Sequence, residues 1–110
     1  MLEQTITNIE QRIKNSESIA EKDRNDLLNL LTTLKSEVIE LSKTHADHAE
    51  SITGFAQISA HEATREKKNR HLMKLSLTGL TSSVDELETT YPKLVETVNR
   101  ISQILANMGI

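Results

Sequence analysis

The residues of this chain that are best suited to hold a metal ion are its four histidines. His45 and His48 are three positions apart, so on a helix their rings lie on one face, with Asp47 and Glu50 close by. However, no histidine has a glutamate three residues before it, as the Glu-x-x-His pattern of di-iron helical bundles requires. Histidines on a helix surface or at an interface are therefore the favoured interpretation, and a metal or small-ligand bundle using His45 and His48 is an alternative.

A second candidate for metal chemistry begins at His61. Residues 61–65 read His-Glu-Ala-Thr-Arg, which starts like the zinc-protease pattern His-Glu-x-x-His. Arg65 occupies the position of the second histidine ligand, so the pattern does not predict a zinc hydrolase. The chain also has no cysteine, which excludes thiolate ligands and disulfides.

The sequence shows no pattern typical of covalent catalysis or phosphate binding. Serines and threonines are common, but no Gly-x-Ser-x-Gly turn presents one of them as a nucleophile. Gly54, Gly79 and Gly109 are isolated, so no glycine-rich loop can surround a phosphate. We therefore expect a protein that is not an enzyme, with no catalytic residues, no metal and no cofactor.

Positive charge is concentrated in one short segment, although the whole chain has a net charge of −3. Residues 65–74 contain a single carboxylate, Glu66, and five cations: Arg65, Lys67, Lys68, Arg70 and Lys74. This basic tip could contact phosphates or an acidic partner, but no aromatic stacking residue accompanies it, so nucleic acid is not the expected partner. A solvated turn whose Arg65 and Lys67 complement a helix C-terminus is the favoured interpretation, and a nucleic-acid or acidic-partner binder is the alternative.

The elements that must position these residues are helical. Apolar residues recur at three- and four-residue spacing, and the chain has only three Gly and one Pro. The pattern predicts helices at about 2–15, 19–66, 70–89 and 92–108. Ser18 and Glu21 fit a capping box at the start of the second helix. Pro92 suits the first turn of the last helix, which we expect to stop at Gly109.

Small residues recur along the second helix, and larger ones recur along the third. The small residues are Ala46, Ala49, Thr53, Ala56, Ala60 and Ala63, and the large ones are Met73, Leu77, Leu80, Val84 and Leu87. If the chain reverses near Lys67, each large residue faces a small one and Gly54 faces Gly79, so the two backbones can approach closely. The spacing predicts a long antiparallel helical hairpin whose first helix is a rod of about 70 Å.

The same register, continued past Pro92, places the last helix against the start of the second. The first helix is also expected to pack there. The predicted fold class is all-α, with a coiled-coil-like hairpin arm on a three-helix base. It has four helices in total within a single domain, 1–110.

A two-helix arm leaves its outer faces uncovered. In the predicted arm these faces carry five large apolar residues: Ile52, Phe55, Ile58, Leu72 and Leu75. Such a patch usually marks an interaction site, so we expect a non-enzymatic scaffold or interaction protein that forms a homodimer and can bind a protein partner. The alternative is that bending of the second helix, or folding back of the tip, covers these residues within one chain.

The sequence does not predict a membrane or secreted protein. Residues 1–14 are amphipathic and lack the continuous apolar stretch of a signal peptide. No segment approaches the ~18 consecutive apolar residues of a membrane span. We therefore expect a cytoplasmic protein of bacterial type that does not associate with membranes.

The C-terminal part of the chain carries a family resemblance. Residues 91–101 (YPKLVETVNRI) and 105–110 (LANMGI) resemble a bacterial family of uncharacterised proteins, domain-of-unknown-function family 4404, and residues 23–34 look like its second helix. The resemblance implies a small helical protein without a known reaction, and it assigns no site residues.

Two features depart from the pattern of that family. Its members often show Phe-Glu and His-Pro where this chain has Leu87-Glu88 and Tyr91-Pro92. Many members are also shorter, which implies that the arm, roughly 42–85, is extended here.

Overall fold

The computed structural model describes residues 1–108, and these form five α-helices and one short 3₁₀ helix. The α-helices are α1 (Leu2–Asn15), α2 (Glu21–Ser42), α3 (Ala46–Thr64), α4 (Arg70–Ser82) and α5 (Pro92–Met108); the 3₁₀ helix, Asp85–Leu87, lies between α4 and α5. The all-α prediction is confirmed. The prediction of four helices is wrong, because the long second helix is divided into α2 and α3.

The predicted helix over 19–66 is interrupted at residues 43–45. The Ser42 hydroxyl donates to the carbonyl of Ile39 at 2.6 Å, and the Thr44 hydroxyl lies 2.8 Å from Nδ1 of His45. Such side chains compete with helical backbone bonding, and His45 has non-helical angles of φ −137° and ψ 64°. A continuous rod of 70 Å is therefore wrong, since the described residues measure 37 × 24 × 22 Å.

The connection between α1 and α2 is held differently from the prediction. The N-cap of α2 is Ala20, without a side-chain cap, so the capping box at Ser18 is wrong. The Ser18 hydroxyl lies 3.2 Å from that of Ser16. Arg24 donates to the carbonyls of Ser16 at 2.5 Å and of Ile19 at 3.3 Å. The guanidinium of Arg24 therefore holds the connection between α1 and α2, a role that was expected for the Ser18 hydroxyl.

The bounds of the last two helices match the prediction in part. α5 begins at Pro92. The first residue of a helix has no intrahelical acceptor for its N–H, so proline, which lacks this N–H, is tolerated there. Its predicted stop at Gly109 lies outside the described residues. α4 ends at Ser82 instead of Thr89, and the Ser83 hydroxyl donates to the carbonyl of Leu80 at 2.6 Å. This bond occupies a carbonyl that a longer helix would use.

Because the chain turns at residues 43–45, α3 packs against α1, α2, α4 and α5. The predicted arrangement, a two-helix arm on a three-helix base, is therefore not confirmed. Buried apolar side chains from all five helices form one core. Its fully buried members include Ile6, Ile13, Leu27, Leu31, Leu34, Leu41, Ile52, Leu80, Leu94 and Ile101.

The stripe of small residues on α3 belongs to this core. All of its members are buried except Ala46, which is exposed. Among the large residues paired with it in the prediction, Leu77 is half-buried, and Met73, Leu80, Val84 and Leu87 are buried. Small side chains allow neighbouring helices to approach α3 closely. The stripe therefore lies in a multi-helix core, and the long hairpin is not confirmed.

Burial of α3 can be tested at Ile52, which is 0% exposed, against Ile58, which is 50% exposed on the same helix. Ile52→Ala leaves a cavity and should lower the free energy of unfolding by about 2–5 kcal/mol. Ile58→Ala should change it by no more than about 0.5 kcal/mol. Urea denaturation of the two variants measures both values, and equal losses would contradict the packing described for α3.

Candidate interaction surface

Four large apolar side chains remain exposed on the outer side of α3 and α4. Phe55 and Ile58 of α3 are 36% and 50% exposed, and Leu72 and Leu75 of α4 are 39% and 55% exposed. The members of each pair are three residues apart, so they lie on one face of their helix. We refer to these four residues as the outer stripe.

Ile52, the fifth residue predicted for this face, is not part of the outer stripe. It is fully buried and lies on the same side of α3 as Ala49 and Ala56, which are also buried. The expectation that it is exposed is wrong, because it assumed that α3 lies in an arm away from the base. Folding of the chain explains this one residue and leaves the other four uncovered.

The aromatic ring of Phe55 lies on the backbone of α4 at Gly79. A Cβ atom at Gly79 would overlap Cε1 and Cδ1 of that ring, so the contact requires glycine. Gly54 does not face Gly79 as predicted, and a Cβ atom there would meet nothing within 4 Å. Ile58, one turn further along α3, lines a separate groove of about 430 Å³ with Asn8, Ile9 and Arg12 of α1.

An acidic groove of about 490 Å³ adjoins the Phe55 end of the outer stripe. Its lining includes Asp47, His48, Phe55, Gly79, Asp85 and Glu86. Nε2 of His48 lies 3.3 Å from a carboxylate oxygen of Glu86. This end of the surface therefore carries negative charge beside an exposed aromatic ring.

His45 and His48 lie together, but they do not form part of a larger set of ligands. The ring of His45 stands edge-on to those of His48 and Tyr91, with centroids 5.9 Å apart in both pairs. Across residues 1–108, no three side chains of histidine, aspartate or glutamate are placed to hold a metal ion. His45 is exposed, and its ring contacts Tyr91, the residue before α5.

Two of the five cations of the basic tip are used within the chain. Arg65 donates to a carboxylate oxygen of Glu62 at 2.9 Å, and the Glu62 side chain is only 8% exposed. Lys68 Nζ donates to the carbonyl of Ala63 in the last turn of α3, where a cation also complements the helix dipole. Lys68 therefore has the capping role that was predicted for Arg65 and Lys67.

The remaining three cations of the tip, Lys67, Arg70 and Lys74, are exposed. Arg70 and Lys74 border a groove of about 640 Å³ between α4 and α5. Its lining also includes Met73, Leu77, Gln103 and Ala106. Sequence reasoning missed this groove because its two walls come from separate helices, and neither wall carries a recognisable motif.

Residues 1–108 thus form an all-α structure with exposed apolar side chains on α3 and α4, and two of the grooves described above lie along α4. Over residues 27–110 the sequence matches the family described as "Domain of unknown function (DUF4404)", and the chain belongs to this family. The resemblance seen in the sequence is confirmed. The matched range starts inside α2 and omits α1. It includes residues 42–85, the segment that was expected to be an extension relative to many family members.

No curated protein and no solved structure matches the chain. Within residues 1–108, none of the helices has the length and apolar character that a membrane span needs.

The contact between Phe55 and Gly79 can be tested with two alanine variants. Gly54→Ala should raise the free energy of unfolding by about 1 kcal/mol, because alanine favours the helix and the space is open. Gly79→Ala should not raise the free energy of unfolding in this way, since its methyl group displaces the Phe55 ring. Chemical denaturation of the two variants measures the difference.

A double variant provides the control. Removing the ring in Phe55→Ala should allow Gly79→Ala to stabilise α4, which a double-mutant cycle would detect as coupling. Equal stabilisation by Gly54→Ala and Gly79→Ala in the presence of Phe55 would contradict the contact.

Proposed function

We propose that this protein is a non-enzymatic helical scaffold or interaction protein of the cytoplasm that self-associates through the outer stripe. The observation that supports this is the exposure of Phe55, Ile58, Leu72 and Leu75 after five helices have packed. Contiguous apolar surface on a folded protein usually marks an interaction site. An exposed aromatic anchor such as Phe55 is typical of residues that dominate interface energies.

The proposed occupant of the outer stripe is a second copy of the chain. A two-fold axis through Ile58 and Leu75, near the middle of the stripe, makes the surface self-complementary. It brings Phe55 of one copy toward Leu72 of the other, and the two α3–α4 pairs then form a four-helix layer. Both ends of each stripe are covered in this arrangement.

The charges at the two ends of the stripe favour the same arrangement. Asp47, Asp85 and Glu86 line the groove beside Phe55. Lys67 follows α3 at the opposite end and is exposed. A two-fold axis places the acidic end of each copy near the basic end of the other, which favours a second copy with antiparallel stripes.

The proposal assigns no reaction to the protein. The tip does not present all five cations outward, since Arg65 pairs with Glu62 and Lys68 bonds to α3. This use of the cations supports contact with protein in preference to a phosphate backbone.

Self-association is tested by placing a charge at the centre of the outer stripe. Leu75→Glu buries a carboxylate in the dimer, so the dissociation constant of the dimer should rise about a hundredfold, equivalent to about 2.8 kcal/mol. Asn29→Glu is the matched control, because Asn29 is exposed on α2, which carries no residue of the outer stripe. Sedimentation equilibrium over a range of concentrations measures the mass of each protein.

We expect dimers for the natural sequence and for Asn29→Glu, and monomers for Leu75→Glu with an unchanged helical circular dichroism spectrum. A natural sequence that stays monomeric at all concentrations would overturn the proposal. Dimerisation of Leu75→Glu equal to that of the control would also overturn it.

A further inference from the structure

The groove between α4 and α5 is separate from the outer stripe. Arg70, Lys74 and Leu77 lie at four- and three-residue spacing, so they share one face of α4. Leu72 and Leu75 lie on the far side of the same helix, because successive residues are about 100° apart around the axis. A ligand in the groove therefore leaves the outer stripe free.

Part of the lining of the groove is apolar. Met73 and Leu77 of α4 and Ala106 of α5 line it, and neutral polar residues complete its walls. Along α4 it extends from Arg70 to Thr81, which is about 16 Å at 1.5 Å per residue. Its volume of about 640 Å³ lies within the range of small-molecule sites.

The charge in this groove has one sign and lies at one end. Arg70 and Lys74 are exposed at the start of α4, and none of the described residues that line the groove is acidic. Neither cation forms an ion pair with any residue in 1–108. The groove beside Phe55, in contrast, contains three carboxylates.

We propose that the groove between α4 and α5 binds a single-chain amphiphile with an anionic head group, such as a fatty-acid carboxylate. Arg70 and Lys74 bind the head group, and the hydrocarbon chain lies along Met73, Leu77 and Ala106. A simple anion would leave the apolar side chains of the lining uncovered. A cationic amphiphile would place its charge against two cations.

The test is a titration of the full chain with laurate below its micellar concentration, followed by amide chemical shifts. We expect saturable changes in α4 and α5 at the groove residues. Dodecyltrimethylammonium, which has the same chain length and a positive head group, should bind at least tenfold more weakly. Acetate, which supplies the carboxylate alone, should not saturate the groove.

Two kinds of variant locate the site. Arg70→Gln with Lys74→Gln should weaken laurate binding about tenfold. The matched control, Lys22→Gln with Lys43→Gln, removes two exposed lysines elsewhere and should bind as the natural sequence does. Ala106→Trp should fill the groove and abolish binding. The two pairs of glutamine changes involve exposed residues, so they remain informative if the tryptophan variant does not fold.

The proposal would be overturned by absence of saturable laurate binding, by equal binding of the cationic amphiphile, or by shifts confined to Phe55 and Ile58. The amide chemical shifts of the groove residues could instead depend on protein concentration and not on laurate. That result would show that a second copy of the chain occupies the groove, and it would also overturn the proposal. Self-association through the outer stripe is measured separately by sedimentation.

Discussion

The turn at residues 43–45 is the constraint on which the rest of the structure depends. It divides a 19–66 helix into α2 and α3, and it lets α3 contact α1 and α2 as well as α4 and α5. Ser42, Thr44 and His45 make the local bonds that accompany the break. The edge contact of His45 with Tyr91 then joins the break to the start of α5. A continuous helix would have left most of the small-residue stripe outside a core.

The turn also determines which surfaces remain available for binding. The side of α3 that carries Ala49, Ile52 and Ala56 is buried, so its opposite side carries the exposed Phe55 and Ile58. α4 lies between two environments, with Leu72 and Leu75 facing outward and Leu77 facing the groove with α5. One short helix therefore contributes to the proposed dimer surface and to the proposed amphiphile groove.

Much of this structure could be predicted from local patterns. Apolar spacing predicts helices α1 and α5 and four of the five residues of the exposed face. Proline chemistry predicts that a helix restarts at Pro92. The break at residues 43–45 could not be predicted, because it contains neither glycine nor proline and depends on packing between distant helices. The exposure predicted for Ile52 was wrong for the same reason. The groove with Arg70 and Lys74 depends on the position of α5, which no spacing within α4 indicates.

The most direct measurement of this account is the distance between Lys22 at the start of α2 and Lys67 after α3. Both residues are exposed, and the chain has no cysteine, so each can be replaced by cysteine and spin-labelled without background. A continuous helix would separate them by about 68 Å. If the chain turns at residues 43–45, the distance within one chain should be near or below 37 Å, the longest dimension of residues 1–108. Pulsed electron spin resonance, with labelled protein diluted in unlabelled protein, measures it. A distribution centred near the length of the continuous helix would contradict the account.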